Sequence, residues 1–278
     1  MRIEIELLGT GTSYGVPAIG CPCEVCTSDD PRNKRLRSSV VFRVTPADGR
    51  ERVFLVDVTP DLRQQALRAH LKHLDAILMT HEHADHTAGM DDLRAFYWQS
   101  GRKDIPLYAY PETLAALKAR FDYLFDRDLE YRGVARVEEH TFEFKPFEVE
   151  GVVIQPIPVL HGQMRVSAFR IGDAAYITDT NGVPPSSMAM LKGVKLLVID
   201  GLRKTPHPTH LSLPESLAIC DELGVERAFF THINHDLDHQ SVDRELPEGR
   251  NLAYDTLRLV LEHGKVGVLG DRINQLAL

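Results

Sequence analysis

Four metal-ligating side chains crowd into six positions in Thr80-His81-Glu82-His83-Ala84-Asp85-His86-Thr87, directly after the apolar run Ala76-Ile77-Leu78-Met79. On a helix, residues two apart point to nearly opposite sides, so His81 and His83 would diverge. In a loop that leaves a strand they converge. The continuous apolar run reads as a strand buried on both faces. The chain must therefore build a sheet in which that strand ends at a polar rim. Asp85 and His86 open the next turn, where they serve a second metal. Imidazole and carboxylate together suit zinc, manganese or iron.

Three other strand ends supply further ligands. Pro158-Val159-Leu160-His161 ends in a histidine, Tyr176-Ile177-Thr178-Asp179 in an aspartate, and Phe230-Thr231-His232 in a histidine. Singly, each reads as a cap or a core hydrogen-bonder. With the first cluster they complete seven ligands, enough for two metals with one side chain shared.

The rest of the pattern is a single domain without repeats or linkers. Strand patterning covers 2–8, 38–44 and 52–57, the last ending in Asp57. Thr59-Pro60-Asp61 predicts a helix with Thr59 at the N-cap and an apolar face through Leu62, Ala66 and Leu67. A strand at 105–110 precedes a helix at 111–121. A strand-rich meander follows over 136–182, and a helix opens at Pro184. Val194–Ile199 is a buried strand ending in Asp200, and Leu213–Leu223 is a helix stopped by Gly224. Leu257, Leu259 and Leu261 alternate as a strand. Mixed sheets packed together, with helices outside, fit this order better than a doubly wound parallel sheet.

The His81-x-His83-x-Asp85-His86 signature, followed in order by His161, Asp179 and His232, resembles the metallo-β-lactamase-fold hydrolases over essentially the whole chain. The resemblance implies an α/β fold, a four-layer αββα sandwich of two mixed sheets with the metals at one edge. It implies that His81, His83 and His161 hold one divalent ion (manganese or zinc). Asp85, His86 and His232 would hold the other, with Asp179 bridging and Asp57 bracing the histidine loop.

The opening Leu8-Gly9-Thr10-Gly11-Thr12-Ser13-Tyr14-Gly15-Val16-Pro17, followed by Cys21-Pro22-Cys23-Glu24-Val25-Cys26, is similar to the PhnP-like branch, which includes phosphoribosyl cyclic phosphodiesterase. In that branch the C-x-C-x-x-C loop holds a structural zinc, and its fourth ligand falls here on His235. A Cys₃His set suits a closed tetrahedral site. Free thiols or redox chemistry are the other readings of the three cysteines, and Cys220 reads as a core residue. The His210-Leu211-Ser212 segment, with Glu215 beyond it, resembles one shared by PhnP-like enzymes and ribonuclease Z. There the histidine stabilises or protonates the leaving oxygen, with Asp85 orienting the attacking hydroxide. His210 as a helix cap is the structural alternative, and His207 the nearby substitute. Arg94 and the Ser13 region are candidate substrate contacts.

The expected activity is hydrolysis of a small, cyclic-type phosphodiester. A ribonuclease Z-like endonuclease and a PqqB-like protein of cofactor synthesis are the alternatives, and a ligand-depleted scaffold is the non-enzymatic one. The formal net charge of −8 argues against a protein built to grip nucleic-acid backbone. So does the lack of an obvious Gly/Lys-rich arm. No apolar run is long enough for a bilayer, and the N-terminus lacks a signal-peptide pattern, so the expectation is a cytoplasmic chain without membrane partners. A homodimer is consistent with the resemblance.

Overall fold

A computed structural model describes residues 1–126 and 133–273. The first six strands are β1 (Arg2–Gly9), β2 (Ser39–Thr45), β3 (Arg52–Val56), β4 (Ala76–Leu78), β5 (Ile105–Ala109) and β6 (Val137–Thr141). The next seven are β7 (Phe147–Val149), β8 (Val152–His161), β9 (Met164–Ile171), β10 (Ala174–Ile177), β11 (Leu196–Asp200), β12 (Arg227–Thr231) and β13 (Arg250–Leu252). The chain closes with β14 (Arg258–Glu262) and β15 (Lys265–Gly270). One sheet runs β15-β14-β1-β2-β3-β4-β5-β6 and the other β13-β12-β11-β10-β9-β8-β7. Each mixes pair types: β3 to β6 and β10 to β13 are parallel, and the remaining neighbours antiparallel.

Side-chain alternation sorts these strands into layers. Phe42, Phe54, Phe169, Tyr176 and Val198 meet in the core between the sheets. The opposite face of the first sheet presents Val41, Leu55 and Ile77 to Leu62, Phe96 and Leu117 of the covering helices. The second sheet presents Ile157, Leu197 and Phe230 to Leu191, Leu213 and Val242. This is the αββα sandwich expected above. Among the described residues no helix is long and apolar enough to cross a membrane.

Helix Leu213–Leu223 occurs as read from the sequence, with Gly224 at φ 62° as its left-handed cap. The helix expected from Thr59 begins instead at Leu62. Thr59 Oγ1 accepts from Asp61 N at 3.1 Å and donates to Gln65 Oε1 at 2.8 Å, which spends the capping hydroxyl on a turn before the helix. The register shift buries Gln65 and leaves Leu67 44% exposed, so Leu67 is not on the apolar face.

The topology places the chemistry. Asp57, Thr80-His81, Asp179, Asp200 and His232 all lie at or just beyond the carboxyl ends of parallel strands, where α/β sheets collect ligands. His161 joins them because β8 runs antiparallel to β9, which runs antiparallel to β10.

Candidate metal centre

The sharp exits from these strands are visible in the backbone. Asp57, Asp179 and His232 have φ of 64°, 51° and 57°, in the left-handed region that non-glycine residues rarely occupy. Each such residue costs on the order of 1–3 kcal/mol and persists where the surroundings over-determine it.

Three of the histidines, His81, His86 and His161, are held by Nδ1, leaving Nε2 for the site. His86 Nδ1 donates to Asp57 Oδ2 at 2.7 Å, and His161 Nδ1 to the Thr209 carbonyl at 2.8 Å. His81 Nδ1 donates to Thr80 Oγ1 at 2.9 Å, and that hydroxyl donates to Asp57 Oδ2 at 2.7 Å. Asp57 also accepts from Thr80 N at 2.8 Å. One buried carboxylate therefore orients His86 directly and His81 through Thr80, with the tautomer that leaves each Nε2 unprotonated. The Nε2 atoms of His81, His86 and His232 are buried and have no hydrogen-bond partner.

Those orphaned atoms converge. Asp179 Oδ2 lies 3.1 Å from His86 Nε2, and its Oδ1 3.3 Å from His232 Nε2. Asp85 Oδ2 is 3.3 Å from His86 Nε2. A tetrahedron with ~2.1 Å bonds has edges of ~3.4 Å, so these spacings fit a shared cation. The candidate ligand atoms of His81, His83 and His161 lie within 4.8 Å of one another, and so do those of Asp85, His86, Asp179 and His232. Asp179 also groups with His161 and His210, which places it between the two sets.

The electrostatics have the same cause. Burial pushes His81 well below the ordinary histidine range, and the neighbouring His86 adds to this. Burial works against charge on His86 as well, but the Asp179 and Asp57 carboxylates outweigh it and hold His86 well above that range. Burial penalises the Asp179 carboxylate, yet His232 and His86 keep it well below the usual carboxylate range. Bare, the site needs a proton between its carboxylates; a divalent cation meets the same need.

A second cluster lies on the N-terminal loop. His235 Nδ1 is 3.4 Å from Cys21 Sγ and 3.3 Å from Cys23 Sγ, and Cys26 completes a group whose ligand atoms lie within 4.8 Å of one another. Tetrahedral zinc with its usual S and N bonds gives S···N edges of about 3.5 Å. The bond from His235 lowers the Cys23 thiol to about 6, while burial raises that of Cys26 to about 11. Arg35, fully buried, ties this loop down by donating to the carbonyls of Asn234 and Leu237 at 2.9 and 2.7 Å. Cys220 is buried on its helix, away from this group.

His210 stands beside the first centre. Its ring stacks on His232 at 4.5 Å and 11°, and its Nδ1 donates to Asp200 Oδ2 at 2.9 Å. The cap of the following helix is Ser212, in a capping box with Glu215, so the cap alternative for His210 does not hold. His207 lies 5.3 Å from His210, ring to ring. Arg94 lines a groove of about 330 Å³ with Leu62, Ala66 and Phe96, on the outer helical layer, and is not brought to the metal cluster. Ser13 offers its carbonyl to Arg37 Nε at 3.2 Å.

Sequence reasoning missed two partners here. Thr80 relays Asp57 to His81, and Asp200 fixes His210. A hydroxyl immediately before a ligand histidine, and a third strand ending in aspartate, were the available signals.

The beta-lactamase superfamily domain profile matches residues 52–233. A solved structure described as a new diphosphatase from the PhnP family is 42% identical, with a TM-score of 0.86, over 97% of this chain and 99% of that one. An octanoyltransferase of Porphyromonas gingivalis is 35% identical over 92% of this chain, which spans only 51% of that protein's length. The coenzyme PQQ synthesis protein B of Methylorubrum extorquens is 26% identical over 93% of this chain and the whole of its own. The chain belongs to the beta-lactamase superfamily, in its PhnP family.

Proposed function

We propose that the protein is a dinuclear metal-dependent phosphodiesterase that hydrolyses small phosphodiesters. The observation that carries this reading is the pair of ligand sets meeting around Asp179, with three buried Nε2 atoms that make no hydrogen bond. His81, His83 and His161 would hold one ion and Asp85, His86 and His232 the other, with Asp179 placed to serve both. When bound, such a pair lowers the pKa of water and neutralises charge on phosphoryl oxygens. The Cys21, Cys23, Cys26 and His235 set would hold a structural zinc.

The chain's own residues supply the rest. Asp85, half-buried with its Oδ2 3.3 Å from His86 Nε2, would orient the attacking water. Asp200 accepts from His210 Nδ1, which leaves Nε2 free; protonated there as well, the ring would give that proton to the departing oxygen and be left neutral. Burial lowers His210 below the ordinary histidine range, and the Asp179 and Asp85 carboxylates oppose it only in part. The PhnP-family neighbour's description as a diphosphatase favours a second reading on the same site, cleavage of a P–O–P linkage. Both are attacks on phosphorus with an oxygen leaving group.

The test is hydrolysis of bis(p-nitrophenyl) phosphate by manganese- and zinc-loaded protein, beside Asp179→Ala. Turnover that disappears in the variant is expected. No turnover by protein of verified metal content sinks the phosphodiesterase reading.

A further inference from the structure

Each sheet of the sandwich places a threonine just before a candidate ligand. Ala76 and Leu78 of β4 face the space between the sheets, and so do Ala174 and Tyr176 of β10. Alternation carries Thr80 and Thr178 onto that same inner face, one residue before His81 and Asp179. Both threonines are buried. Thr80 Oγ1 donates to Asp57 Oδ2, and Thr178 Oγ1 donates to Asp179 Oδ2 at 2.7 Å. Among the described residues this is the one hydrogen bond that the Asp179 carboxylate receives, since the Nε2 atoms of His86 and His232 beside it make none. The carboxylate that both ligand sets need is thus held from one side, by its own neighbour.

Beneath that bond lies a hydroxyl with no use in packing. Tyr176, two residues back on the same face, is fully buried, and its Oη makes no hydrogen bond. The groups that bear on it are Asp57, His86, Asp179 and the Thr178 hydroxyl, so it sits against the paired site. Phe42, Phe54 and Phe169 fill the same layer with bare rings. A buried hydroxyl without a partner opposes folding, and a phenyl ring in its place would not. Tyr176 Oη is a buried donor without an acceptor, and among the described residues Thr178 Oγ1 is an acceptor without a donor.

We propose that Thr178 and Tyr176 are positioning residues for the shared carboxylate. Thr178 holds Asp179 Oδ2 by donation, and Tyr176 Oη donates to Thr178 Oγ1, which keeps the threonine hydrogen turned onto Asp179. This rests on the paired-metal reading above. A carboxylate that serves two cations presents an oxygen to each set, and one released from Thr178 rotates towards a single set. The ion held more weakly is then the one lost.

The experiment is chelator-competition titration of metal-free protein with zinc, with urea unfolding of each protein alongside. Thr178→Val keeps the branched shape and removes the hydroxyl, and the weaker of the paired sites should lose about 10-fold or more in affinity. Thr178→Ala replaces it if the valine variant does not fold. Thr178→Ser restores the donor and should stay within about threefold of wild type. Tyr176→Phe should show a smaller loss at the same site, and no loss beyond that of Thr178→Val when the two are combined, because it acts through Thr178. The site of Cys21, Cys23, Cys26 and His235 should keep its affinity throughout. Wild-type affinity in Thr178→Val, or a serine variant as weak as the valine one, overturns the role of Thr178. Tyr176→Phe that gains stability in urea with unchanged zinc affinity overturns the role of Tyr176, and so does a loss that adds in full to that of Thr178→Val. Wild-type protein that binds zinc at the cysteine site alone fails the paired-metal reading instead.

Discussion

Replacing Asp57 by Asn should weaken the paired metal site while leaving the fold standing. The carboxylate is fully buried and receives three hydrogen bonds: Thr80 N on Oδ1, and Thr80 Oγ1 and His86 Nδ1 on Oδ2. Asn tolerates the left-handed backbone at φ 64°, so strain does not change. It does replace one acceptor oxygen with a donor. If the NH₂ takes the Oδ2 place, it meets His86 Nδ1–H, and relief requires moving that proton to Nε2, the atom needed for the metal. If it takes the Oδ1 place, it faces Thr80 N–H and strands a buried donor, which costs about 1–3 kcal/mol. Loss of such an outer partner lowers metal affinity about 10–100-fold, or about 1.4–2.7 kcal/mol. The assay is chelator-competition titration of metal-free protein with zinc. The weakening should fall on the sites served by His81 and His86, while the Cys21, Cys23, Cys26 and His235 site keeps its affinity. Affinity within threefold of wild type at all sites would refute the bracing argument.

Further consequences can be measured alongside. His210→Ala should retain full metal content and lose about 10²–10⁴-fold in kcat, read by metal analysis beside steady-state kinetics. Gly89→Ala should destabilise by about 3 kcal/mol or more in urea unfolding, because a Cβ there would lie 1.9 Å from the Thr59 carbonyl oxygen. Burial lowers His239 from 6.5 to about 4, so its neutral form is the one folded into the protein. That stability is intact above pH 6.5 and is lost as the pH falls towards 4, by about 3 kcal/mol in all. His239→Gln should accordingly lose less stability than wild type between pH 7 and 4. Cys26→Ser should remove one zinc per chain and lower the Tm, without abolishing binding at the paired site.

Much of this site was legible in the sequence because each ligand follows a strand whose apolar run announces itself. His81 and His83 could share a metal only in a loop, and His161, Asp179 and His232 each end a buried strand. Helix Leu213–Leu223 was equally plain, with Pro214 inside its start and Gly224 at its end. What the sequence concealed depends on tertiary hydrogen bonds or on unusual backbone. Nothing local marks Asp57, Asp179 and His232 for positive φ, since propensity favours the opposite sign for such residues. Thr59 looked like a cap, but Gln65 claims its hydroxyl.

Seven side chains are proposed to seat two metal ions around one shared carboxylate, and anomalous diffraction from crystals grown with manganese or zinc reads this out. Two peaks flanking Asp179 are expected, one among His81, His83 and His161 and one among Asp85, His86 and His232. A separate zinc peak is expected at Cys21, Cys23, Cys26 and His235. A zinc peak at the cysteine loop alone, in crystals soaked to saturation with either metal, would rule the paired site out.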